Sequence, residues 1–271
     1  MELNEANDYT VRIDGIPVSE QGTECTFTEQ GDVGEFGETS RTGSPTTVDV
    51  TEADDPQVPV EDQDVPTAQV ATITNDYQYT GLSVTKRVDT DAVDTEFGPF
   101  EFTLSCVSIS GEDVVLAPVN QTEITFEIEA DETWEAPENR IPVGATCTLA
   151  ETDADAADDL VFTGDNVVDN GDGTATVTPG VDPAEIEVTN AYDAGTVTLA
   201  KETTGDGAAR YGTGVFVFDV VCTYQDQTPY DDEVELRDGD TVTIGPYPIG
   251  TECAVEETSA GGATDVTLDP A

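Results

Sequence analysis

Histidine is absent from this 271-residue chain, and lysine occurs only twice. Without histidine the sequence lacks the general base of Ser-His-Asp and Cys-His sites, and no glycine-rich phosphate loop takes its place. Eight basic residues face 59 acids, a formal net charge of −51, so nothing could neutralise a phosphate backbone. Nucleic acid is therefore excluded as a partner, and an anionic membrane surface is disfavoured. Long apolar runs are missing too, which removes any bilayer-spanning segment from the reading. The opening Met1-Glu-Leu-Asn-Glu5 has neither a basic region nor an apolar one, and Thr267-Leu-Asp-Pro-Ala271 shows no sorting signal. The expectation is a piece of a longer secreted protein whose signal and anchor lie elsewhere.

What the chain does contain is repetition. One phrase reads Ile-Thr-Asn75-Asp-Tyr-Gln-Tyr-Thr-Gly-Leu-Ser-Val-Thr-Lys86, and returns as Val-Thr-Asn190-Ala-Tyr-Asp-Ala-Gly-Thr-Val-Thr-Leu-Ala-Lys201. Both members are displaced by 115 residues, and both lysines of the chain fall at its end. A second phrase occurs three times, around Ile16 to Cys25 and Glu29, Ile141 to Cys147 and Glu151, and Tyr247 to Cys253 and Glu257. A third occurs twice, Phe100-Glu-Phe-Thr-Leu-Ser-Cys106 and Phe216-Val-Phe-Asp-Val-Val-Cys222. Residues 80–193 hold every element in order and read as one complete repeat. Residues 1–79 read as the C-terminal part of a truncated repeat, and 194–271 as the N-terminal part of a further one.

Cysteine spacing follows the same cut. Cys106 pairs with Cys147 and Cys222 with Cys253, one bridge per repeat, which leaves Cys25 unpaired. Disulfides imply an oxidising compartment and hence export. Short alternating runs such as Glu123-Ile-Thr-Phe-Glu-Ile128, bounded by Gly, Pro, Asn and Asp, read as strands throughout. Val168-Asp-Asn-Gly-Asp-Gly-Thr174 reads as a hairpin turn, because Asn-Gly and Asp-Gly accept positive φ at little cost. The fold class expected is all-β: tandem Ig-like or prealbumin-like β-sandwich repeats, first and last copies incomplete. Connectors of a few residues near Gly81 and Gly195 predict stiff joints, and open half-repeats predict exposed apolar faces and strand edges.

Alternate residues of a strand share a face. Leu82, Val84, Lys86 and Val88 are then co-facial, as are Ile186, Val188, Asn190 and Tyr192, and Cys147, Leu149 and Glu151. An amine, a carboxamide and a carboxyl all fall on apolar faces, where each needs a partner or costs several kcal/mol, roughly 2–7 for a neutral group. Desolvation makes the lysine a neutral nucleophile and keeps the glutamate protonated. The carboxyl can then polarise the asparagine carbonyl while the amine attacks, ammonia leaves, and an amide joins two strands. The other reading of the same residues is a buried Lys–Glu pair capped by Asn, with no bond formed.

These phrases resemble the Cna protein B-type (SpaA-like) stalk domains of Gram-positive surface adhesins and pilins. That resemblance implies an intramolecular isopeptide bond between a first-strand lysine and a last-strand asparagine, assisted by a glutamate on a middle strand. The matching positions are Lys86, Asn190 and Glu151, with Glu29, Asn75, Lys201 and Glu257 as orphan counterparts in the incomplete copies. The cysteine pair marks a departure from the isopeptide-bearing members. The resemblance implies an extracellular, cell-wall-anchored stalk, no turnover enzyme, no cofactor, neighbouring repeats as partners, and a host-surface protein or glycan as a further one.

Two other functions remain open to the sequence: an adhesion module that binds a ligand or Ca²⁺, and an accessory domain of a secreted enzyme. The acidic runs Asp153 to Asp159, Asp89 to Asp94 and Asp165 to Asp172 lack the EF-hand pattern and read as solvated loops, so no metal site is expected. Trp134 reads as a partly buried loop anchor, with a ligand platform as the alternative. The complementary parts at the two ends of the chain are expected to reflect truncation and not pairing between molecules.

Overall fold

The computed structural model describes residues 11, 13, 16–17, 23–30, 38–50, 70–118, 120–154, 156–263 and 265–269. The expectations placed on Met1–Glu5, on residues 18–22 of the first cysteine phrase, on Asp155 and on the last two residues lie outside them.

Alternation decides the layout of the middle region. Phe100–Val107 buries Phe100, Phe102, Leu104 and Cys106 and turns Glu101 and Val107 outward. Leu82–Thr90 buries Leu82, Val84 and Lys86, and Ala184–Tyr192 buries Ile186, Val188, Asn190 and Tyr192. Strands patterned this way must cover one face, and two sheets do so mutually. One sheet has five strands in the order Val167–Asp169, Thr174–Val177, Thr146–Asp153, Phe100–Val107, Glu123–Ile128. The other has four, in the order Asp159–Gly164, Ala184–Tyr192, Leu82–Thr90, Thr133–Glu135. The result is a β-sandwich with an apolar core centred on Val84, Leu104, Leu149 and Val188.

Neighbours within these two sheets are antiparallel with one exception. The first strand, Leu82–Thr90, and the last, Ala184–Tyr192, run parallel from Ala184↔Leu82 to Tyr192↔Thr90. The chain therefore enters the sandwich at one end of this pair and leaves at the other. Asp193 alone separates the last strand from the next one, Ala194–Ala200.

Beyond Asp193 the front of the same pattern is laid down again. Phe216–Tyr224 sits between Gln227–Leu236 and Glu252–Ser259, and Ala194–Ala200 pairs with Thr241–Pro248. Val197, which faces as Leu82 does, is 39% exposed, against 3% for Leu82. At the other end, Thr23–Phe27 pairs with Thr46–Val50 and Glu38–Thr42 with Thr74–Tyr77. The described chain is thus built of tandem Ig-like β units.

The hairpin expected at Val168–Thr174 joins Val167–Asp169 to Thr174–Val177, with Gly171 and Gly173 at positive φ. Two details differ from the sequence reading. Ala208–Tyr211 forms one turn of helix, closed by Gly212 N–H donating to the Ala208 carbonyl at 2.8 Å. A single turn is too short to leave a helical period in a sequence. Trp134 is not a loop anchor: it lies in Thr133–Glu135 opposite Val84, stacked on Phe126 at 3.6 Å between centroids. No helix of the described residues is long and apolar enough to cross a membrane.

Candidate functional site

The parallel pairing sets the site. Val188 is opposite Lys86, so Asn190 lies two residues further along the neighbouring strand and on the same inward face. Glu151 reaches them from the facing sheet, on the strand Thr146–Asp153. Lys86 and Asn190 are 0% exposed and Glu151 8%. The Lys86 Nζ is 3.5 Å from Glu151 Oε2, and it stands 4.3 Å above the centre of the Phe100 ring. Asn190 Nδ2 donates to Glu151 Oε1 at 2.7 Å and to the Ala154 carbonyl at 3.2 Å. Tyr192 donates its hydroxyl to that same carbonyl at 2.8 Å.

Three polar atoms at the centre have no hydrogen-bond partner among the described residues: Lys86 Nζ, Glu151 Oε2 and Asn190 Oδ1. Buried polar atoms are rarely left so, and each costs about 1–3 kcal/mol, more when charged. All three lie in one cluster, with Lys86 Nζ and Glu151 Oε2 in ion-pair range of each other. Burial lowers the Lys86 pKa from 10.5 to about 8, against the opposing pull of Glu151. Burial likewise raises the Glu151 pKa above its usual value, a rise moderated by the Lys86 charge and the Asn190 hydrogen bond. Both shifts favour the neutral forms, a free amine and a carboxylic acid.

The incomplete copies hold the same contacts in halves. Lys201 Nζ lies 3.0 and 3.1 Å from the two oxygens of Glu257 and 4.4 Å above the Phe216 ring. Asn75 Nδ2 donates to Glu29 Oε1 at 2.8 Å, and Asn75 Oδ1 is again without a partner among the described residues. There Arg41 Nε is 3.4 Å from Glu29 Oε2. The lysine–glutamate and asparagine–glutamate contacts thus form wherever the sequence supplies both members.

Sequence reasoning missed Phe100, Tyr192 as a hydrogen-bond donor, and the Ala154 carbonyl. A signal for the first was present: Phe100 and Phe216 head the same recurring phrase, and each underlies the lysine of its own copy.

Two disulfides close, Cys106–Cys147 and Cys222–Cys253, and Cys25 is a free thiol. Each bridge joins directly opposed residues of adjacent antiparallel strands. Among the described residues no group of three or more acidic or cysteine side chains is arranged to hold a metal ion. Asp169 instead accepts from the Phe162 and Gly171 amides at 3.0 and 2.8 Å, and Asp172 from Thr174 Oγ1 at 2.6 Å.

The 22% identical adhesin from Mobiluncus mulieris containing intramolecular disulfide, isopeptide and ester bond cross-links is one similar solved structure, with 45% of each chain covered and a TM-score of 0.33. The major pilin protein T-13 from Streptococcus pyogenes is 13% identical over 68% of this chain and 83% of its own, with a TM-score of 0.40. A pilus-presented adhesin (Cpa) is 14% identical over 42% of this chain and 28% of its own, with a TM-score of 0.33. The present chain thus spans 28% and 45% of the length of these two adhesins. No curated protein matches the sequence. A family described as "Domain of unknown function (DUF5979)" matches three successive stretches, residues 2–78, 82–193 and 197–271, and the chain belongs to that family.

Proposed function

We propose that these repeats form a covalently stiffened structural stalk of a bacterial surface protein, in which Lys86 and Asn190 condense into an isopeptide bond with Glu151 as proton donor and acceptor. The observation that carries this reading is the buried trio: an amine and a carboxamide on parallel first and last strands, a carboxyl between them, and one unpartnered polar atom on each. The neutral Lys86 amine attacks Asn190 Cγ, forming a C–N bond and a tetrahedral intermediate. Glu151 gives its proton to Nδ2, the atom beside Oε1, which leaves as ammonia as the C–Nδ2 bond breaks and the carbonyl re-forms, and Glu151 regains a proton from Lys86 Nζ, the atom beside Oε2. The sandwich supplies the proximity that an uncatalysed amide exchange lacks. Each repeat reacts once, so this is self-modification and not enzymatic turnover.

The bond would connect residues 104 apart in sequence, 86 to 190. On the chain-entropy model used for disulfides such a closure contributes roughly 4–5 kcal/mol. Its position matters as much as its strength. Tension entering at Leu82 and leaving at Tyr192 would cross from strand to strand at Lys86–Asn190, and residues 87–189 would carry none of it. The disulfides support an oxidising, extracellular location, and neighbouring repeats are the first partners of such a stalk.

Intact-mass measurement of the reduced chain tests the proposal. The expected mass is short by one ammonia, and a Lys86–Asn190 linked peptide survives proteolysis. The full uncondensed mass would reduce the trio to a buried polar network.

A further inference from the structure

The carboxamide of Asn190 is held by two donated hydrogen bonds, one to Glu151 Oε1 and one to the Ala154 carbonyl. The first partner belongs to the trio. The second is a backbone oxygen whose place is fixed by the Tyr192 hydroxyl at 2.8 Å and by the Ala157 amide at 3.1 Å. Tyr192 in turn stacks on Phe97, 4.0 Å between centroids and 28° between planes. Phe97 meets the edge of Tyr224 at 6.4 Å, and Tyr224, from the segment beyond Asp193, is buried in the core of the middle sandwich.

The loop that carries Phe97 is fastened to that following segment along its length. Gln227 grips the Glu96 peptide from both sides: its Oε1 accepts the Glu96 N–H at 2.9 Å and its Nε2 donates to the Glu96 carbonyl at 2.6 Å. The Val93 N–H donates to the Pro246 carbonyl at 3.0 Å, and the Ile249 N–H to the Asp193 carbonyl at 2.9 Å.

We propose that the repeat following Asp193 is a positioning partner for the site in the repeat before it: Tyr224 and Gln227 seat the 93–97 loop, Phe97 seats Tyr192, and Tyr192 holds the Ala154 carbonyl that orients the Asn190 amide. This rests on the cross-linking role proposed above, but the bracing itself is a separate property. They act on Asn190 by way of the Ala154 carbonyl, and so are positioning residues. A misplacement of about 1 Å at a reacting centre can cost on the order of 100-fold in rate. Loosening one contact in this relay is expected to slow condensation by about tenfold.

The test uses the full chain, synthesised into denaturant so that it starts uncondensed, then refolded while ammonia loss is followed by intact mass. Tyr224→Ala, Gln227→Ala and Tyr192→Phe each slow the loss relative to the unaltered chain, and Tyr224→Phe, which keeps the ring, restores the rate. Equal rates in all variants, within about twofold, overturn the proposal and leave the cross-link reading intact. A companion measurement does not depend on the reaction. In a Glu151→Gln background, hydrogen exchange of residues 154–159 and 188–193 rises when Tyr224→Ala is added. If the unaltered chain never loses ammonia, the cross-link reading fails, and this exchange decides the brace alone: faster exchange upholds it, unchanged exchange overturns it.

Discussion

The pH dependence of condensation distinguishes a reaction that needs Glu151 as an acid from one that needs only a free amine. The reactive arrangement pairs a neutral Lys86 with a protonated Glu151. It carries the same number of protons as the ion pair of charged Lys86 and ionised Glu151, so its share of the population does not change between the two titrations of the coupled pair. Below the raised Glu151 pKa both groups are protonated and the amine is blocked. Above the lowered Lys86 pKa of about 8 both are deprotonated and the acid is gone. The rate is therefore flat between the two titrations and falls on either side, by about tenfold for each unit beyond them. At pH about 9 it should be near one tenth of its plateau value, and at pH about 10 near one hundredth. A mechanism limited by amine ionisation alone predicts the opposite sign, a rise of about tenfold between pH 7 and 9 followed by a plateau. The assay is a refolding time course from uncondensed chain at fixed ionic strength, quenched in acid and read by intact mass. A rate that climbs through pH 8 and levels off would refute the role given to Glu151.

Asn190→Ala should leave the sandwich folded and at full mass, less stable by roughly 4–5 kcal/mol in chemical denaturation if the lost loop closure dominates. Glu151→Ala should cost about 3 kcal/mol more, because it also leaves the buried Lys86 amine without its ion-pair partner. Thiol labelling of the unfolded, unreduced chain should tag Cys25 alone, and five labels would contradict both disulfides. Gly164 has φ of +150°, and an added Cβ there would collide with the Glu185 backbone carbonyl. Gly164→Ala should therefore destabilise by at least about 1 kcal/mol in the same denaturation assay, the scale of a strained backbone position.

Face assignments were legible in the sequence because strand periodicity depends on adjacent residues alone. Lys86, Glu151 and Asn190 fall on the buried faces that alternation gives them, and the hairpin at Asn170-Gly171 follows from local φ preference. Register between distant strands was not legible. Nothing within Leu82–Thr90 states that Ala184–Tyr192 will lie beside it, or that the two run parallel; that depends on how the seven other strands fill the two sheets. Contacts made through backbone oxygens were hidden for a similar reason, since the Ala154 carbonyl has no side-chain signature. The joint was read as short and stiff, without the contacts that form it. Gln227 and Phe97 are unremarkable letters in sequence, and they become a joint only through contacts between the 93–97 loop and the segment beyond Asp193.

The parallel pairing of first and last strands also imposes an order of assembly. Cys106 and Cys147 meet through antiparallel neighbours 41 residues apart, and Lys86 can find Glu151 once the chain has reached Asp153. The last strand must close a span of 102 residues, from Leu82 to Ala184, against a closure entropy about 0.8 kcal/mol larger than that of the disulfide loop. Pairings of such long range are also the slow ones in β proteins. A chain emerging N-terminus first would thus acquire its disulfide and its lysine–glutamate pair early, and its amide only after residue 190 has docked. The segment after Asp193 holds the same two early contacts, Cys222 joined to Cys253 and Lys201 resting on Glu257.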